Sequence, residues 1–546
     1  MLFAFALVGC GGTHGGTAPA PAPTHRELTV EQQAMHLLSR AAFGPRPGDL
    51  AAVAQSGPDA WLERQLHPEE IRDDALDVAF GEFPVWKESA RALAERNPPQ
   101  DLFIRDLRKA RGIAPNAPFT MTADDSAAFK TINVRANALV NQFQAAKVAR
   151  AQLSERQLLE VMTDFWENHF SVYAGKMPTR FTLLEWDRDV IRPRALGRFR
   201  DLLGAVAHSP AMLYYLDNWQ SAADAQHLTL TEYRAMQKAG GRRPPIRRRG
   251  GLNENYGREL LELHTLGVDG GYTQQDVIEV ARALTGWTIQ DPRDGGGFIF
   301  REGAHDAEEK VVLGHRLGRS RGESDGEEVL DIVARHPSTA RFIATKLARR
   351  FVSDTPSAAL VERAAETFRI TDGDIREVLR TILTSPEFYA RAAYRAKVKS
   401  PFELVVSARR ILRASPDTSP RTVQAIARLG EPLFGKLTPN GWPETGDQWM
   451  NSGALIDRIN FGLQVSQGRL LGAPVEQWPP WATLEITSLN RQVDGVVDEL
   501  LGGDASDETR RVLMSGANPL VGSLERRPTL RDLVGLALGS PEFQRR

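Results

Sequence analysis

Asn255, Glu259 and Glu262 are the residues that the sequence places best for chemistry. They lie in a dense polar run, Asn253-Glu-Asn-Tyr-Gly-Arg-Glu-Leu-Leu-Glu-Leu-His264, spaced i, i+4 and i+7. At about 100° per residue, a helix puts the three within roughly 60° of one another. One amide and two carboxylates on one face form an all-oxygen set. Such a set suits a hard divalent cation, calcium or magnesium, or an acid/base pair. His264 points the opposite way, and Glu254, Arg258 and Glu262 could instead pair as neighbours on a solvated face. A second segment, Asp164-Phe-Trp-Glu-Asn-His-Phe170, sets Asp164 and Asn168 on one face and Trp166 and Phe170 on another. His169, among aromatics, reads as a hydrogen-bonded core histidine, or as a contributor to the first site if folding brings it there. His305-Asp306, in a Gly- and charge-rich stretch over 290–328, is a third candidate that needs partners from elsewhere.

Several chemistries are excluded. The chain has no P-loop, no dinucleotide-binding glycine fingerprint, no His-Glu-x-x-His and no Gly-x-Ser-x-Gly elbow. A single cysteine in 546 residues rules out an internal disulfide, a thiolate zinc site and a Cys-x-x-Cys-His haem attachment. With 68 basic and 69 acidic residues, nucleic-acid binding through bulk charge is not expected. Hydrophobic residues at 42% and charged residues at 25% are ordinary for a globular protein with a normal core.

That one cysteine is Cys10. An apolar run from Met1 to Val8, then Gly9, precedes it, which is the layout of a lipoprotein signal over 1–10 whose thiol is lipidated. The run is far shorter than the ~20 residues of a membrane-spanning helix. No Lys or Arg precedes it, which fits a true start codon upstream of Met1. Residues 11–27, rich in Gly, Ala and Pro, read as a tether. Acyl chains on Cys10 would anchor the protein to a membrane, and Gly11 in place of Asp points to the outer one where the source has two. The expected address is therefore the cell envelope, after export.

The elements that must position the candidates are helices. Thr273-x-x-Asp276 and Ser154-x-x-Gln157 have the spacing of capping boxes, and each precedes an apolar stripe. Asn253 caps another helix, which stops at Gly267. Similar stripes occupy 31–42, 128–150, 339–352, 358–368, 375–384, 401–413 and 454–470. Strand signals are few: Thr288-Ile289 and Phe298-Ile-Phe300 around a Gly-rich turn, and Lys310-Val-Val-Leu313. A helix–Ser-Pro–helix unit recurs three times. Arg200, Arg376 and Arg531 each lead, nine residues on, to Ser209-Pro210, Ser385-Pro386 and Ser540-Pro541. Residues 220–252 read as a loop carrying the basic run Arg242–Arg249. The fold class is mainly α: a large multi-helix body over 28–470 with reused helix–Ser-Pro–helix units, a small inserted β-hairpin, and a helical extension over 471–546.

These segments in order resemble the bacterial domain-of-unknown-function family 1800. The resemblance rests on His36-Leu-Leu-Ser-Arg-Ala-Ala-Phe-Gly44, Phe165-Trp-Glu-Asn-His-Phe170, Asn253–Gly267, Gly271-Tyr-Thr-Gln-Gln-Asp-Val-Ile-Glu-Val-Ala-Arg-Ala-Leu-Thr-Gly-Trp287, His305-Asp306 with Lys310 and Leu313-Gly314, and Pro439-Asn-Gly-Trp442. Gly257 stands where the family would have alanine. Glycine there costs about 1 kcal/mol of helix propensity and would fit a close backbone approach. The resemblance implies an exported, mostly helical protein of no assigned reaction, with an exported sulfatase-like partner.

Two functions follow. The first is an envelope binding or scaffold protein, which the tether, the reused helix pairs and the missing catalytic signatures favour. The second is a metal-dependent hydrolase built on Asn255, Glu259 and Glu262, with Asp164, His169, His305 or Asp306 brought in by folding. It is motivated by the difficulty of burying two carboxylates without a cation.

Overall fold

The computed structural model describes residues 24–98, 100–114, 117–176, 179–243, 251–291, 296–469, 474–518, 522–523 and 526–546. Cys10, most of the 11–27 tether, the Arg247–Arg249 end of the basic run and the start of the Gly-rich turn lie outside them. Within them the chain is mainly helical, with three two-stranded antiparallel ladders.

Each expected stripe is a helix: Val30–Arg40, Ala123–Leu153, Pro337–Phe351, Ala358–Ile370, Ile375–Leu383, Pro401–Ile411 and Ser452–Ser466. Local chemistry sets their starts. Thr273 and Asp276 form a complete capping box for Gln274–Ala283, and Asn253 caps Glu254–Glu259 through Asn255 N–H. All three repeat units begin with a nine-residue helix, Phe199–Ala207, Ile375–Leu383 and Leu530–Leu538. Ser209 and Ser540 then cap a second helix with proline in its first turn. Ser385 makes the same hydrogen bond, from Phe388 N–H at 3.1 Å, but only a turn follows.

Three local expectations are corrected. Ser154 and Gln157 make no capping box, because longer-range partners take both side chains. The Ser154 hydroxyl donates to Asp73 at 2.5 Å, and the Gln157 carbonyl accepts from Phe43 N–H. The helix begins at Gln157 without a side-chain cap. Residues 220–252 are not all loop, since Thr229 and Glu232 box the start of a helix, Leu230–Lys238. Lys310–Val312 is not a lone strand either. It pairs with His315–Leu317 through a tight turn in which Leu313 and Gly314 both have positive φ, as two-residue hairpins require. The expected hairpin of Trp287–Ile289 with Phe298–Phe300 is present.

One hydrophobic core runs through the molecule, from Leu28 to Phe543. Segment 474–546 shares it through Trp478, Val497, Leu533 and Phe543. It is also bonded to the rest of the body: the Arg546 and Lys397 backbones exchange two hydrogen bonds, and Arg546 Nε lies 3.1 Å from Glu403. At the other end, residues 26 and 27 belong to the body. Arg26 forks onto Asp59 at 2.8 and 2.9 Å, and Glu27 N–H donates to Tyr389 O.

Gly257 does mark a close approach. A Cβ there would sit 2.9 Å from Val277 O and 3.1 Å from Ala281 N on the facing helix. Gly257→Ala should therefore lower stability by about 1–3 kcal/mol through forced separation of the helices, against about 1 kcal/mol of propensity gained. Urea denaturation of the variant checks this, and a stabilised protein refutes it.

Candidate functional site

The polar runs that stand apart in sequence come together through their own side chains. Helix Gln157–His169 carries Asp164, Glu167 and Asn168 to one end. Asn168 clasps the loop that follows Gly435: its Nδ2 donates to Trp442 O at 2.9 Å and Glu444 Oε1 at 3.3 Å, and its Oδ1 accepts from Trp442 N–H at 2.6 Å. On another side, His169 Nε2 lies 3.0 Å from His264 O, and the two rings are 6.4 Å apart. The run 253–267 thus packs on the same helix. Tyr215 links it to the loop: its hydroxyl donates to Leu437 O at 2.9 Å, and Glu259 is near enough to add to the burial that raises its pKa.

Between helix Gln157–His169 and that loop lies a shallow cleft, with about 50 Å³ of water-accessible room and about 590 Å³ counted to its open mouth. Its walls include Lys147, Asp164, Glu167, Asn168, Arg350 and Glu431, with Phe434 and Trp442 as aromatic surfaces. Lys147 is a hub. Its Nζ is 2.8 Å from Asp164 Oδ1, bonds Glu167 Oε2, and lies over the rings of Phe402 and Phe434. Arg350 reaches Glu403 at 2.7 Å, Asp164 at 3.7 Å and Glu444 at 3.8 Å. Burial works against the charge on Glu403, but Arg350 and Arg546 outweigh it and hold the carboxyl at about 2. The opposite balance holds for two others. Burial pushes Glu167 up to about 8 despite Lys147. Burial and the charge of Asp164 push Glu431 to about 8 as well, although its Oε2 accepts from Phe402 N–H at 2.7 Å. Burial thus favours the protonated form of each. Hydrogen bonding in the cleft is also incomplete: Arg350 Nε and Glu167 Oε1 are buried with no hydrogen-bond partner, and Arg350 Nη2 has only the 3.7 Å ion-pair contact with Asp164.

The other candidates lie elsewhere. Asn255 is exposed, while Glu259 and Glu262 are half-buried neighbours; burial and the charge of Glu262 raise the pKa of Glu259. Glu262 Oε2 accepts from the Tyr272 hydroxyl at 3.2 Å. Residues 260–265 form a wider π turn, so the three do not keep α-helical spacing. Among the described residues, no group of three or more His, Cys, Asp or Glu side chains is placed to hold a metal ion. His169 and His264 are buried, and burial depresses both pKa values, so they are neutral core histidines. His305 and Asp306 sit in a separate, fully buried ionic cluster with Arg282, Lys310 and Asp325. That cluster fastens the hairpins to helix Gln274–Ala283.

The motif segments at the cleft, 165–170 and 439–442, fall inside one continuous family match. Residues 36–545 match the family described as protein of unknown function (DUF1800). The chain belongs to the DUF1800 family. The match continues past residue 470 into the segment that completes the core and supplies Arg546. No curated protein and no solved structure matches the chain.

Within this DUF1800 chain, sequence reading found Asp164 and Asn168 on a shared face but met Trp442 only as part of a family motif. It missed Lys147, Arg350, Glu403, Glu431 and Glu444. A signal existed for two of them. Lys147 interrupts Ala145-Ala146 and Val148-Ala149, and Arg350 lies on the buried stripe of Ile343, Leu347 and Phe351. A charge on an apolar stripe needs a partner. Nothing local marks Glu431.

Proposed function

We propose that this protein is an exported lipoprotein of the cell envelope that binds a small hydroxyl-rich ligand, a saccharide unit, in the Asn168–Trp442 cleft. The unmet hydrogen-bonding groups of that cleft carry the reading: Arg350 Nε offers a donor, and Glu167 Oε1 offers a further polar contact. Binding sites typically combine a few such convergent polar groups with apolar walls. Phe434 and the half-buried Trp442 supply the walls, and Ser171 and Ser400 add hydroxyls. The lipid on Cys10 holds the protein at its membrane, and the exported sulfatase-like protein remains the expected partner; the leader, the tether and the family resemblance support both.

The test is calorimetric titration of the full chain with a series of neutral and amino saccharides. Saturable binding of at least one is expected, weakened tenfold or more in Trp442→Ala. Failure of every sugar, or unchanged affinity in the variant, refutes the ligand assignment. Mass spectrometry of the native protein tests the address separately, with a diacylated Cys10 at the amino terminus as the expected result.

One observation favours a second reading at the same cleft. Burial raises the carboxyls of Glu167 and Glu431, and a buried carboxyl kept protonated in a cleft can act as a general acid. A new product during the same titrations would mark turnover in place of binding.

A further inference from the structure

A second pocket, with about 500 Å³ of water-accessible room and about 1160 Å³ counted to its open mouth, lies one turn along the same two helices, where Arg150 and Glu160 take the places of Lys147 and Asp164. Five arginines line it, at 150, 156, 188, 192 and 376, against four carboxylates at 69, 73, 77 and 160. The carboxylates are largely committed. Asp73 accepts from the Ser154 hydroxyl and Glu155 N–H. Glu160 holds Arg192 at 2.7 Å, and Arg192 also takes Asp187, which is not on the wall. Glu69 is shared with His67 at 3.3 Å.

Two guanidiniums are left with unspent donors. Arg150 is no closer than 3.9 Å to Glu160, and its Nε is buried with no acceptor. The rings of Phe80 and Trp86, 4.4 and 4.3 Å away, fix its plane. Arg376 is 3.6 Å from Glu69, and its Nε is likewise buried without an acceptor. Planar guanidiniums held in place with free N–H groups suit an oxyanion, which can accept two bonds from each fork.

We infer that this arginine-lined pocket binds an oxyanion group, a phosphoryl or a carboxylate carried on a small molecule, at Arg150 and Arg376. The site shares no lining residue with the saccharide cleft.

Thermal unfolding and calorimetry of the full chain, at constant ionic strength against chloride, test it with inorganic phosphate and with glucuronate. Saturable stabilisation by one of them is expected, and which one identifies the phosphoryl or the carboxylate source. Arg376→Gln, on the half-exposed rim, should weaken that binding tenfold or more while leaving the unliganded protein folded. Arg150→Lys keeps the charge but loses the fork, and should weaken it similarly. Trp442→Ala, at the other cleft, should leave it unchanged. The inference falls if neither anion gives a saturable shift, if Arg376→Gln keeps wild-type affinity, or if Trp442→Ala abolishes binding.

Discussion

Asp325→Ala should destabilise the protein by about 3–5 kcal/mol and loosen the hairpin insertion before the rest of the body unfolds. Asp325 is fully buried at the start of helix Ser324–Ala334. Its Oδ2 is 2.8 Å from Lys310 Nζ and 3.3 Å from His305 Nε2. Lys310, also fully buried, donates to Asp306 O at 2.7 Å and Glu308 O at 2.9 Å, so the ammonium group closes the loop between the two hairpins. Next to it, Arg282 forks between Asp306 and Glu279. Glu279 and Asp276 accept from the Val311 and Leu313 amides, which ties the second hairpin to helix Gln274–Ala283.

Removing the Asp325 carboxylate leaves the Lys310 ammonium in the core with Asp306 Oδ1, 3.9 Å away, as its nearest counter-charge. Breaking a buried pair from one side is strongly destabilising, because the remaining charge keeps its full desolvation penalty. Neutralising both sides is much milder, so adding Lys310→Met should recover at least half of the loss. Urea denaturation measures the energies, and limited proteolysis over 287–323 reports the local opening. A loss below about 1 kcal/mol, or no recovery in the double variant, would show that the cluster does not hold the hairpins.

The same cluster shows what could be read from residue order alone. Helix starts and stops were legible because a cap acts over three residues and a stripe over a few turns, as at Thr273-x-x-Asp276 and Asn253. Expectations failed where a distant group outbid the local one. Ser154 turns to Asp73 and Gln157 to Phe43, partners roughly eighty and a hundred residues away in the chain. His305-Asp306 was visible as a polar pair, but its role depends on Arg282 and Asp325, which only folding brings to it. The cleft was half legible for the same reason. Asp164 and Asn168 share a helix face and could be seen together. Glu431 and Arg350 enter from elements far along the chain, and the π turn at 260–265 has no compositional mark to warn that Glu259 and Glu262 lose α-helical spacing.

Glu431→Gln should stabilise the protein increasingly as pH rises, by about 2–3 kcal/mol more at pH 7.5 than at pH 5.5. Burial and the neighbouring Asp164 raise the Glu431 carboxyl from an ordinary value near 4.5 to about 8. Between those values the folded protein keeps a proton that the unfolded chain releases. The stability this group contributes is therefore fully present below about pH 4.5 and is lost as pH rises through about 8. The slope approaches 1.4 kcal/mol per pH unit for one proton. The amide abolishes this titration yet still accepts from Phe402 N–H, so the two proteins should be nearly alike in acid and diverge toward alkali. Comparison with the variant is needed because other buried groups titrate in the opposite sense. Burial lowers Lys399 to about 7, so its contribution grows with pH from about 7 to 10.5. The depressed His36, His169 and His264 lose their contribution as pH falls below about 6.5. Those terms are common to both proteins and cancel in the difference. A gap that stays constant from pH 5.5 to 7.5 would mean that Glu431 is ionised in the folded protein, and the proton that the general-acid reading of the cleft needs from this residue would not be there.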